Sequence, residues 1–203
     1  MTAPDEGVPG ADSHRVGPAT ILIPGAVLRC WNPADARRLD NALRLSQAEL
    51  VAWTPWVLEG VGDLVALTER LQGYKDEFRE GKNLLYAIVD PTESEVLGGA
   101  GLYRRIGAGA LEIGYWIRSD QTGKGLATEA TRALASVGFG FEEVQRIEIH
   151  CQPSNRASIR IPQKLGFQLG DMTPGTADRP GETQVWELHR GDSLGKCGGP
   201  RLS

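Results

Sequence analysis

The stretch from Glu112 to Glu129, EIGYWIRSDQTGKGLATE, combines residues that could grip a charged ligand with residues that could move a proton. A strand-like run, Glu112 to Ile117, passes through a polar turn into Gly123-Lys124-Gly125, which opens a helix. The first turn of a helix presents N–H groups without internal acceptors, and the helix dipole is positive at that end. Glycines let a ligand come close to the backbone. Gly123, Lys124, Gly125, Leu126 and Ala127 are therefore a candidate anion site, suited to a pyrophosphate. The spacing is neither Gly-x-x-x-x-Gly-Lys-Ser/Thr nor Gly-x-Gly-x-x-Gly, so a nucleotide P-loop and a dinucleotide fingerprint are both excluded here. Lys124, Arg118, Arg156 and Arg160 could neutralise phosphates; the competing reading of each is ordinary solvated charge.

Glu112 is the candidate general base. Alternation puts Glu112, Gly114 and Trp116 on one face of their strand, and Ile113, Tyr115 and Ile117 on the other. The competing reading of Glu112 is a solvent-facing strand residue; Tyr115 is an acid or a packed aromatic. Trp53 and Trp56 either line an acceptor pocket or anchor their loop. His14, His150 and His189 receive no catalytic role, and His150 alternates outward. Cys151 points inward as a core residue.

These residues need elements to hold them. Ala26 to Cys30 reads as a strand, and Asn32-Pro33 starts a helix to about Ser46, with Ala36, Leu39, Leu43 and Leu50 on one stripe. A second helix, about Gly62 to Glu80, carries Leu64, Leu67 and Leu71. The period then changes. Asn83 to Asp90, Val96 to Tyr103 and Ala110 to Ile117 read as an antiparallel meander. A helix from Thr122 to Val137 follows, then a strand from Val144 to Cys151. A helix from Asn155 to Leu165 and strands at Gly166 to Leu169 and Thr183 to His189 complete the order. That order predicts a mixed α/β sheet, not an all-parallel one. Residues 19–190 form the expected folded body, between a disordered lead-in (1–18) and a flexible tail (191–203).

Composition sets the outer limits. Apolar residues make up 40% of the 203, enough to build a core without staples. The net charge of −4, with no basic stripe, argues against nucleic acid as the primary partner. The longest apolar run, Leu84 to Val89, is too short to span a bilayer, and the opening residues lack the pattern of a secretory signal. Cys30, Cys151 and Cys197 form no metal spacing and no disulfide framework, so no metal is expected and a reducing cytosol is the expected compartment.

Three segments in order, "EIGYWI", "GKGLATEA" and "NRASIRIPQKLGF", resemble the GNAT acyltransferases, and among them the RimJ/RimL-type N-acetyltransferases. "LRCWNPADA" and "TPW" at Thr54 to Trp56 are similar to that family too. The resemblance implies the GNAT fold: a mixed, mostly antiparallel, splayed sheet flanked by helices. Acetyl-CoA is then the co-substrate and a primary amine the acceptor, with monomer and homodimer both open. Pantetheine would lie in the splay and the pyrophosphate on the amides of Gly123 to Leu126. A backbone N–H near Trp116 or Ile117 would polarise the thioester, with Arg118 nearby. Asn155 would meet the pantetheine or diphosphate, and Ser158 would lie near the thioester sulfur; helix capping at Ser154 or Asn155 is the competing reading. Two departures stand out: Asp120 lies three residues before the first glycine, and Pro162 falls inside a helix. Another acyl group such as succinyl, a non-catalytic acyl-CoA-binding module and a nucleotide-phosphate binder are the alternatives.

Overall fold

The computed structural model describes residues 16–55, 59–175 and 181–195. Eight strands form one sheet: β1 (Thr20–Ile23), β2 (Ala26–Cys30), β3 (Asn83–Val89), β4 (Val96–Tyr103), β5 (Ala110–Ile117), β6 (Arg146–Cys151), β7 (Gln168–Thr173) and β8 (Thr183–His189). Their spatial order is β1-β2-β3-β4-β5-β6-β8-β7. Every neighbouring pair is antiparallel except β5–β6. This is the expected mixed sheet, with an added edge strand, β1, that the sequence reading missed.

Four helices cover the sheet: α1 (Ala36–Leu50), α2 (Leu64–Arg79), α3 (Leu126–Phe139) and α4 (Arg156–Leu165). A 3-10 turn at Pro33–Asp35 leads into α1, capped reciprocally by Asn32 and Asp35. Leu39, Leu43, Leu67 and Leu71 bury α1 and α2 against Val27, Leu85, Ala87 and Val89 on one face. On the other face Ala130 and Leu134 of α3 meet Leu84, Tyr86, Ile88, Leu111 and Ile147. Strand β3 is covered on both sides, which explains its unbroken apolar run where a half-exposed strand would alternate.

The parallel contact of β5 and β6 decides the shape of the site. It spans only Ala110↔Arg146, Leu111↔Ile147 and Glu112↔Glu148. Beyond Glu112 the two strands part, because β5 keeps to β4 while β6 keeps to β8. The predicted splay is therefore present. At the ends of the body, Tyr86 donates to the Pro18 carbonyl at 2.9 Å. Of the expected tail, residues 191–195 lie against the body: Leu194 packs on the core, and Gly195 N donates to the Leu165 carbonyl at 3.0 Å. Among the described residues, no helix is long and apolar enough to cross a membrane.

Candidate functional site

The glycine turn has the backbone the sequence asks for. Gly123 and Gly125 both adopt left-handed φ values, +78° and +83°. Gly125 is the N-cap of α3 and supplies no side-chain cap, while its carbonyl accepts from Glu129 N at 3.0 Å. The amides of Leu126, Ala127 and Thr128 thus belong to the set that no helix carbonyl can satisfy. A Cβ at Gly123 or Gly125 would meet nothing within 4 Å, so the surrounding space is open and the glycines serve the backbone angle itself. Leu126 is buried and pins the helix start while the turn stays exposed.

The charged candidates separate. Lys124 stays at the exposed turn, its Nζ 2.7 Å from Gln121 Oε1. Arg156 and Arg160 are exposed on α4. Arg118 points elsewhere: it is 7% exposed and bonded to Asp120, Glu95 and the Val96 carbonyl. The structure does not bring its guanidinium to the turn. That arrangement accounts for Asp120, whose carboxylate turns to Arg118 and is held below its ordinary pKa by that bond.

Where β5 and β6 part, they enclose a cavity of about 310 Å³. Glu112, Trp116, Tyr115, Asn155, Ser158 and Trp53 all line it. Trp56, the other candidate of that loop, lies outside the described residues. On the α3/α4 side, the Tyr115 hydroxyl donates to the Ser158 carbonyl at 3.1 Å and lies 3.0 Å from Ser158 Oγ. Ser158 Oγ is 3.2 Å from Cys151 Sγ. Burial pushes the Tyr115 phenol well above its ordinary pKa, so it remains a proton donor. Asn155 caps α4 through Ser158 N at 3.1 Å, so capping and cavity lining coexist.

Pro162 explains the free use of the Ser158 carbonyl. In an uninterrupted helix that carbonyl would accept from the N–H four residues on. Proline has none. The hydrogen-bonding capacity goes to Tyr115 instead, and α4 persists through Leu165.

Strand parity selects the backbone donors. Arg118 N donates to Leu97 O at 2.8 Å, and Ile117 stands opposite Gly98. In an antiparallel ladder this directs the Trp116 N–H toward β4 and the N–H groups of Tyr115 and Ile117 toward the gap. Of the two expected donors, Ile117 is the one that faces it. Gly99 lets the indoles of Trp116 and Trp31 approach: a Cβ there would lie 2.7 Å from Trp116 Nε1.

The α1/α2 side is where the polar residues gather. Glu112 is buried, 2% exposed, and Arg105 grips it with two bonds, Nε to Oε2 at 2.7 Å and Nη2 to Oε1 at 3.0 Å. The solvent-facing alternative for Glu112 is thereby corrected. The outward reading of His150 is corrected as well: it lines the cavity, and its Nε2 lies 2.6 Å from buried Glu148. Period-two alternation assumed a wet second face; there Arg146 and His150 close on Glu148, and Leu39 of α1 and Tyr74 of α2 line the same cavity as His150. Arg105 was missed too. The only signal for it was a basic residue just past the β4 end that faces Glu112 in register. Among the described residues, no group of three or more His, Cys, Asp or Glu is placed to hold a metal ion.

Residues 26–168 match the family model of the acetyltransferase (GNAT) domain. The chain is 28% identical over 125 residues to "Probable N-acetyltransferase YjcK" of Bacillus subtilis (strain 168), covering 60% of this chain and 67% of that one. It is 26% identical over 144 residues to the [ribosomal protein uS5]-alanine N-acetyltransferase of Escherichia coli (strain K12), covering 70% and 74%. RimL, a ribosomal L7/L12 α-N-protein acetyltransferase solved in complex with coenzyme A, superposes with a TM-score of 0.73 at 18% identity, covering 83% of this chain and 96% of that one.

Proposed function

This chain belongs to the acetyltransferase (GNAT) family, and from that premise we propose that it moves an acetyl group from acetyl-CoA to a primary amine by direct attack. The observation that carries the reading is the parting of β5 and β6 beside the uncapped start of α3. The pyrophosphate rests on the amides of Leu126, Ala127 and Thr128, in the open space beside Gly123 and Gly125, with Lys124 as the nearby cation. Pantetheine follows the freed edge of β5, where Asn155 borders it. The thioester oxygen accepts from the Ile117 N–H, which stabilises the charge that develops on it.

The amine enters from the α1/α2 side, between Trp53, Trp116 and Glu112. The Glu112 carboxylate is fixed by Arg105 in a bidentate ion pair and forms a polar wall of the acceptor entrance. A carboxylate already holding two guanidinium bonds is a weak proton acceptor. The amine lone pair attacks the carbonyl carbon, the tetrahedral intermediate expels the thiolate, and Tyr115, bonded to Ser158, supplies the proton that makes the CoA thiol; the nitrogen gives up one N–H proton, which reaches solvent, and solvent refills the phenol. The products are the amide and free CoA. Deprotonating an acceptor at pH 7 costs about 1 kcal/mol for an α-amine and about 4.6 kcal/mol for a lysine side chain. A protein N-terminus is the less demanding acceptor, and the uS5-alanine relative supports it.

Thiol release tests the reading. Acetyl-CoA, succinyl-CoA and ATP are offered with a short peptide bearing a free N-terminal alanine and with an aminoglycoside. Turnover with acetyl-CoA and the peptide is expected. Turnover with succinyl-CoA alone would replace the donor. Heat of acetyl-CoA binding without turnover on any amine would leave a binding module, and ATP binding in place of acetyl-CoA would reject the site assignment.

A further inference from the structure

The reaction just described leaves one buried titratable pair unused. His150 lies on β6 two residues beyond Glu148, the last residue of β6 that pairs with β5. It therefore stands on the β6 lip of the opening, on the strand face that carries Glu148. The β5 residue at the same distance past Glu112 is Gly114, which has no side chain to fill the gap. His150 lines the cavity together with Glu112, Trp116 and Ser158, and its side chain is 13% exposed. The next residue, Cys151, faces the opposite side with Ser158 and Tyr115. The two sides of β6 thus border the acceptor and thioester compartments respectively.

Glu148 orients the ring. Its side chain is 7% exposed; Oε2 lies 2.6 Å from His150 Nε2, and Oε1 accepts from Arg146 Nε at 2.6 Å. Burial, the largest single influence, raises its pKa, but the bonds from His150 and Arg146 together hold it below the ordinary range. It is an anion, and an anion at Nε2 selects the tautomer with its proton there, which makes Nδ1 the basic nitrogen. Among the described residues, the charged groups near the ring include Glu148 and Arg146 on β6, Glu112 with Arg105 from the β5 side, and Glu187 on β8. The phenols of Tyr74 on α2 and Tyr103 on β4 also line the cavity, and burial keeps both protonated.

We propose that His150, oriented by Glu148, takes the proton from the attacking amine in this transferase. The proposal rests on the acetyl-transfer reading above. As the N–C bond forms, one N–H proton passes to His150 Nδ1; the C–S bond breaks and the thiolate receives one proton from Tyr115. The imidazolium then returns its proton to solvent, from which the phenol is refilled. Glu148 is a positioning residue, acting through the ring.

The experiment is a pH–rate profile of kcat/KM with acetyl-CoA and an amine that the wild type turns over, repeated with an alkoxyamine that stays unprotonated over the range. The basic amine adds the limb of its own protonation. With the alkoxyamine an acidic limb is expected, since only the enzyme titrates there, and a flat profile with that acceptor overturns the proposal. His150→Gln is expected to lose about 100-fold in kcat at neutral pH and to lose that limb, with acetyl-CoA affinity unchanged. Glu148→Gln is expected to move the limb to lower pH, because the imidazolium loses its anion, with a smaller loss of kcat. If His150→Gln also loses acetyl-CoA affinity, the limb in Glu148→Gln decides alone, and an unmoved limb there overturns the proposal. Wild-type rate and profile in His150→Gln overturn it as well. Absence of turnover by the wild type on every amine would instead strike the acetyl-transfer reading itself.

Discussion

Tyr115 owes its position to a proline. The carbonyl of Ser158 would ordinarily serve the helix, and Pro162 leaves it to the phenol. Pro162→Ala restores a competing N–H. The expected outcome is a more stable protein by up to about 3 kcal/mol, read from urea unfolding, with a several-fold lower kcat as Tyr115 loses an anchor. Stability and rate falling together would show that the proline does something else. Asp35 tests the acid side of the fold. It is 1% exposed and accepts from Arg29 at 2.7 and 2.8 Å and from Arg38 at 2.9 Å. Burial is the largest influence on it and raises its pKa, yet the Arg29 bonds and their companions leave the value lowered. A lowered folded-state pKa means stability present above the unfolded value, near 3.8, and lost as pH falls through the folded one. Asp35→Ala is expected to cost about 3 kcal/mol at pH 7, a cost that shrinks below pH ~4. A pH-independent difference would rule out the ion pair as its source.

At the scale of elements, the start of α3 and the contact of β4 with β5 are separable. Gly125→Ala places a Cβ in open space but at a φ of +83°, so only the backbone suffers. A left-handed alanine costs about 1–2 kcal/mol. Calorimetry is expected to show acetyl-CoA affinity falling by about tenfold or more as the turn relaxes and the α3 amides turn aside, with the cavity walls intact. Unchanged affinity would remove the helix start from the binding site. Gly98→Ala acts on the scaffold instead: its Cβ would lie 2.3 Å from the Trp116 carbonyl, so β4 and β5 must separate. A stability loss of about 2–3 kcal/mol is expected, together with displacement of the Trp116 wall, read from its fluorescence.

At the scale of the molecule, the opening exists because two half-sheets are pulled apart by different partners. The β1–β5 half lies between α1 and α2 on one face and α3 on the other, while β6 pairs with β8 and carries α4. A ligand that bridges the halves should therefore stabilise the whole fold. Acetyl-CoA at about 100 times its Kd is expected to add about 2.7 kcal/mol, or about 5–10 °C in Tm. A shift with ATP and none with acetyl-CoA would contradict the proposed cofactor.

The elements were legible in the chain because they rest on local periodicity. The stripe of α1, the continuous run of β3 and the glycine turn before α3 each carry their signal within a few residues. The turn's chemistry was equally local, since left-handed φ and an uncapped helix start depend on nothing distant. Tertiary structure alone decided which polar groups meet. Alternation along β6 could assign His150 and Glu148 to one face, but whether that face is wet depends on cavity walls such as Trp53, Tyr74 and Arg105, brought in from distant parts of the chain. The same holds for Arg105 on Glu112, for Asp120 turning to Arg118, and for Tyr115 reaching the carbonyl that Pro162 leaves open. Periodicity reports the burial a segment asks for; long-range packing chooses the partners that charge and hydrogen bonding then require.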